Sequence, residues 1–150
     1  MSAPQPQAFR TLDRAGADAI LARHRVGRIA YTRRGRLEVG PVLYAWADGW
    51  VWARTSYECG WAALVGESHG TPIVFEVDEV GAGSRWRSVV VRGLLHPVEH
   101  PADGGDPAVW VHAMELVRAL DPGAAPAALR SSLVRIAVED ASAREGGGEG

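Results

Sequence analysis

Residues 54–61 read Arg-Thr-Ser-Tyr-Glu-Cys-Gly-Trp and follow an apolar run. A sharp turn, with a short helix starting at Trp61, is the pattern expected. A strand–loop–helix junction with a guanidinium and two hydroxyls can grip a phosphate, because free helix N–H groups and an Arg fork both suit a dianion. A second group of reactive types is Glu76, Asp78 and Glu79. Strand alternation puts Glu76 and Asp78 on one face and Glu79 on the other, which gives only a weak general-acid pair. His24, His69, His96, His100 and His112 show no metal-ligand spacing, so no metal is expected. His112 reads as a hydrogen-bonded, half-buried helix residue. Cys59 stands alone, which excludes an intrachain disulfide and reads as a bland loop cysteine.

All 16 basic residues of this 150-residue chain are Arg; Lys and Asn are absent. No Lys is therefore available as a Schiff base or as an ammonium phosphate ligand. The net charge of −2 offers no basic field for nucleic acid. No stretch approaches the roughly 20 apolar residues of a membrane span, and the opening residues lack an apolar signal core. The expectation is a cytoplasmic protein with neither nucleic-acid nor membrane partners.

These groups must be positioned by a small number of elements. Residues 1–9 read as a flexible segment, 10–140 as one domain and 141–150 as a disordered tail. Thr11-Leu12-Asp13 caps a helix running to His24, stopped by Gly27. Strands are expected at Arg28–Thr32, Leu37–Trp46, Trp50–Thr55, Pro72–Glu79, Arg85–Val98 and Leu133–Val138, and a helix at Asp106–Leu120. Turns fall at Arg33-Arg34-Gly35 and Ala47-Asp48-Gly49. Pro41 inside its strand requires an edge, a bulge or a split in the sheet. The three tryptophans Trp46, Trp50 and Trp52 read as hairpin packing or a dimer surface. Six short strands linked mostly by hairpins, with helices at the margins, predict a mainly β fold: a six-stranded antiparallel barrel with flanking helices.

Four stretches in order carry a family resemblance: Val26–Ala30, Gly40–Tyr44, Arg54–Ser56, and Phe75–Glu79 with Trp86–Gly93. Leu133–Ile136 also fits. In these the chain resembles the pyridoxamine 5′-phosphate oxidase-like family of FMN-binding split barrels, in its small actinobacterial-type form. The resemblance implies a homodimer with FMN in a groove between subunits. It implies that Val39, Pro41, Val42 and Leu43 lie along the flavin, that Arg54, Thr55 and Ser56 meet its ribityl-phosphate end, and that Ser88 reaches it. It implies an oxidoreductase acting on a small molecule.

Where family members carry a basic pair or a Lys, this chain has Cys59-Gly60-Trp61. Arg54, or Arg85 and Arg87 of either subunit, would then have to neutralise the phosphate. Trp61 would cover the ring system or fill the vacated groove. The rival expectation is a split-barrel dimer that has lost the flavin phosphate site and serves as a binding or structural protein. A third is the use of deazaflavin or haem.

Overall fold

A computed structural model describes residues 9–55, 70–123 and 132–147. The elements are β1 (Phe9–Leu12), α1 (Arg14–Arg23), β2 (Val26–Arg33), β3 (Arg36–Ala47), β4 (Trp50–Arg54), β5 (Thr71–Val80), β6 (Trp86–Val98), α2 (Pro107–Leu120) and β7 (Leu133–Gly146). The strands form one sheet in the order β1-β7-β4-β3-β2-β5-β6, and β6 also pairs with β7. Strands β2 to β7 therefore close a six-membered antiparallel ring, as expected, and a seventh strand is added to it. One edge of β7 pairs with β6 along its length. Its other edge pairs first with β4 and then with β1.

Two boundaries differ from the sequence reading. The segment 141–146, expected to be disordered, continues β7, and Phe9–Leu12 is a strand. Ala141, Ser142, Ala143, Arg144, Glu145 and Gly146 all pair with β6, so the ladder holds a stretch whose Gly-rich continuation suggests disorder. The helix ends on a cap at His24, where the sequence reading put it, without Gly27 acting as its stop. Gly27 lies within β2 for another reason: a Cβ there would come to 2.6 Å of Phe75 Cε2 and 2.9 Å of the Glu76 carbonyl oxygen.

Local signals account for most of the other ends. Asp13 and Asp106 accept from the first-turn N–H groups of Gly16 and Ala108, each at 2.8 Å, and so cap α1 and α2. Asp48-Gly49 and Arg34-Gly35 both have two positive φ angles, the twist that tight hairpins need. Ile73, Phe75 and Val77 of β5 face the core while the residues between them face out, the alternation read from sequence.

The barrel interior holds Ile29, Tyr44, Val51, Phe75, Val77, Val89, Val91 and Ile136, with Ala17, Ile20 and Leu21 of α1 packed into them. Tyr44 and Phe75 meet edge to face at 4.9 Å. The Tyr44 hydroxyl donates to the Leu21 carbonyl at 2.6 Å. That carbonyl belongs to the last turn of α1 and has no partner within the helix, so β3 closes the helix end. Burial pushes the Tyr44 phenol well above its usual range, which keeps it a donor. A second cluster outside the ring sets Trp52, Val98 and Leu133 under Ala113 and Val117 of α2. Trp50 and Trp52 therefore belong to packing; the Arg135 guanidinium lies 4.0 Å over the Trp50 ring.

Candidate functional site

The ring opens where β3 and β4 part. Their pairing runs from Ala47↔Trp50 to Tyr44↔Ala53 and goes no further. Beyond that point β3 is paired on its β2 side only. The Tyr44 N–H donates to the Arg25 carbonyl at 2.8 Å. In an antiparallel ladder bonded and non-bonded pairs alternate. Leu43, Pro41 and Val39 therefore turn their backbone groups away from β2. Pro41, which has no N–H to give, sits on that outer edge; of the edge, bulge or split that the sequence pattern allowed, the structure has the split. The N–H groups of Val39 and Leu43 and the carbonyls of all three residues point into the opening.

Val42 is different. It is buried in the core and sits opposite Gly27, in a pair whose backbone groups face β2. It holds the strand and does not line the free edge. Outside the ring, Leu37 (89% exposed), Val39 (66%) and Val26 (62%) form an apolar strip on two paired strands.

Arg54 and Thr55 stand at the end of β4, beside this opening. Arg54 Nη2 lies 3.6 Å from Asp121 Oδ2, just beyond the end of α2. Thr55 is buried; its N–H donates to the Ser132 carbonyl at 2.8 Å, and its Oγ1 donates to the same carbonyl at 3.4 Å. Ser56 and Trp61, with Cys59 and Gly60, lie outside the described residues. Ser88 pairs with Asp78 and Arg144 on the outer face of β6. Within one chain, two strands separate it from β3 in either direction around the ring.

On the outer face of β2 and β5, Arg28 Nη1 is 2.9 Å from Asp78 Oδ2 and 3.7 Å from Glu76 Oε1. Burial holds the Glu76 carboxyl above its ordinary range, helped by the hydrogen bond and negative charge of Asp78 and opposed by Arg28. A raised folded-state pKa means that the stability owed to this group is full below its unfolded value and is lost as pH rises through the folded value. Glu76→Gln is therefore expected to raise the urea midpoint at about pH 7 and to leave it unchanged near pH 3, where the native carboxyl is already neutral. A midpoint that falls at the higher pH would mean that the Arg28 pairing outweighs both costs.

Sequence reasoning missed one cluster. Glu79, Arg87 and Glu145 occupy the last inward-facing positions of β5, β6 and β7, directly opposite one another. Arg10 of β1 stands opposite Glu145 and binds it. Arg87 donates to Glu145 at 2.9 Å and to Glu79 at 3.4 Å. From the end of α1, Arg23 donates to Glu79 at 2.8 Å, and His24 Nε2 lies 2.6 Å from its other oxygen. Burial pushes Glu79 up, but the hydrogen bonds from His24 and Arg23 outweigh it and leave the carboxyl below its ordinary range. Arg87 and Arg10 hold Glu145 down as well. Both stay charged at neutral pH; what they add to stability is lost as pH falls through these depressed values. The only available signal was the alternation carrying Glu79 to the α1 side. The register that adds Glu145 depends on the far end of β7.

A closed antiparallel sheet that parts between two neighbouring strands is a split barrel. The chain belongs to the pyridoxamine 5′-phosphate oxidase family, whose model matches residues 13–145. Solved structures of the same fold include the FAD binding protein from Mycobacterium smegmatis, with 20% identity, 91% of this chain and 96% of that one covered, and a TM-score of 0.68. A FAD-binding protein from Mesorhizobium loti is 27% identical, with 93% and 99% covered and a TM-score of 0.63. A conserved protein of unknown function from Corynebacterium diphtheriae is 25% identical, with 93% and 98% covered and a TM-score of 0.70. No curated protein matches the sequence. Among the described residues no helix is long and apolar enough to cross a membrane, and no three metal-ligating side chains gather.

Proposed function

We propose that this protein binds FMN along the free edge of β3, at a seam between two copies of the chain, and serves as an oxidoreductase on a small molecule. One observation carries the reading: the parting of β3 from β4 leaves the backbone groups of Val39, Pro41 and Leu43 facing an opening beside Arg54. A row of alternating N–H and C=O groups matches the acceptor- and donor-rich edge of an isoalloxazine. Arg54 supplies a fork for the phosphate, and the apolar strip of Val26, Leu37 and Val39 gives a second copy something to cover. Family membership and the FAD-binding proteins that share the fold support a flavin. When bound, the flavin would supply hydride chemistry; the chain would supply position, N–H donors and exclusion of water.

Titration of FMN with the purified protein, followed by quenching of flavin fluorescence, tests this. Saturable quenching is expected, and Arg54→Ala should weaken it by about 10-fold or more, the worth of one charge-assisted contact. Light scattering should give a dimer. FAD binding more tightly than FMN would keep the flavin and change the nucleotide. No saturable quenching by either, or a monomer, overturns the proposal. If a dimer forms but quenches neither flavin, the second reading takes its place, a dimer that has given up the cofactor; Thr55 Oγ1 on Ser132 and Arg54 beside Asp121 favour it.

A further inference from the structure

We infer that the barrel mouth bearing the Glu79–Arg87–Glu145–Arg10 ladder is a second binding site, and that it takes a small organic anion with an apolar ring. The mouth borders a half-open pocket of about 900 Å³. That is the size of pockets that hold small ligands, roughly 300–1,000 Å³. Within one chain its lining shares no residue with the β3–β4 corner.

The ladder is a firm floor. Each charge stands opposite its partner on an adjacent strand, so the backbone sets the spacing. Arg87 uses Nε and Nη1 on the two carboxylates, and Arg10 uses Nη2. A guanidinium has five N–H donors, so both retain capacity for an incoming oxygen. Arg85 lines the same cavity and has no ion pair among the described residues. Three guanidiniums against two carboxylates leave the lining with an excess positive charge, and His24 adds to it when protonated.

The other half of the lining is apolar. Phe9, Val80 and Trp86 are large hydrophobic side chains left exposed, and all three border the cavity. The Trp86 indole lies close against Gly146, where a Cβ would come to 2.7 Å of Cε2. The glycine lets the ring stand as a wall beside the charged floor. A free cation set among aromatic and aliphatic walls selects an anion carried on a flat apolar body. A carboxylate and a phosphate share this chemistry.

Benzoate and phenyl phosphate are the probes, with benzamide as the neutral control. The purified full chain is titrated while the Trp86 indole N–H and the Arg85 and Arg87 Nε–H resonances are followed by NMR. Saturable shifts of these signals with at least one anion are expected, with benzamide much weaker; the tighter of the two anions identifies the head group. Arg85→Ala should weaken binding by about 10-fold. Arg85→Gln serves if the alanine variant fails to fold, and Trp86→Ala should weaken binding independently. No saturable shift, an equal response to benzamide, or full affinity after loss of the Arg85 charge would overturn the assignment. The ladder would then be only a clasp joining β1 and α1 to the barrel.

Discussion

Phe75→Ala is expected to lower the unfolding free energy by about 3–5 kcal/mol, the largest single effect on this fold. The side chain is 0% exposed at the centre of the ring. It fills the space that Gly27 leaves and meets Tyr44 edge to face. Removing it costs the transfer of a large ring and leaves a cavity that closed strands cannot collapse into. Denaturation midpoints in urea, with an unchanged slope, measure it. A double-mutant cycle sharpens the claim. Gly27→Ala should destabilise the native protein because its methyl meets the Phe75 ring, and should cost clearly less once Phe75 is Ala. Additive effects would show that the glycine is required by the Glu76 carbonyl instead.

Gly93→Val should cost about 2–3 kcal/mol or more, through overpacking. The residue sits at a bulge, where β7 puts Glu139 between the partners of Arg92 and Gly93. A Cβ here would run into the Ala137 carbonyl oxygen and lie 3.0 Å from Ile136 Cγ2. The obstacle is backbone, so relief requires β6 and β7 to move apart along the seam that closes the ring. Gly81→Ala is the control: its nearest neighbour would be Arg85 Cβ at 3.5 Å, an ordinary contact. It should be close to neutral in thermal unfolding. Similar losses at both positions would mean that chain entropy, and not the collision, explains the effect.

Much of the fold was legible because local rules and tertiary demand agree. The alternation of β5, the Asp caps of both helices and the Asp48-Gly49 turn all lie within a few residues of the features that betray them. Pro41 announced an edge, a bulge or a split because a missing N–H excludes a ladder partner wherever the chain goes. Gly27 and Gly93 could not be interpreted in the same way. Their reasons lie across strands, on Phe75 and Ala137, and no local pattern states what faces a glycine.

The candidate sites divide along the same line. Val39, Pro41, Leu43 and Arg54 were chosen from the sequence and come to one opening. Val42 was drawn with them but faces the core, because a strand turns every second residue over. Glu145 was hidden in a Gly-rich stretch whose composition indicates disorder, and the register of β7 against β6 overrode that composition with a continuous ladder. By itself the sequence determined a closed antiparallel sheet with an interruption at Pro41, since those follow from period, turns and one proline; that the interruption is a parting of β3 from β4 came from the register. Only the tertiary structure decided that four charges from four strands meet at the barrel mouth: cross-strand pairing depends on register, and register is set by the whole ring.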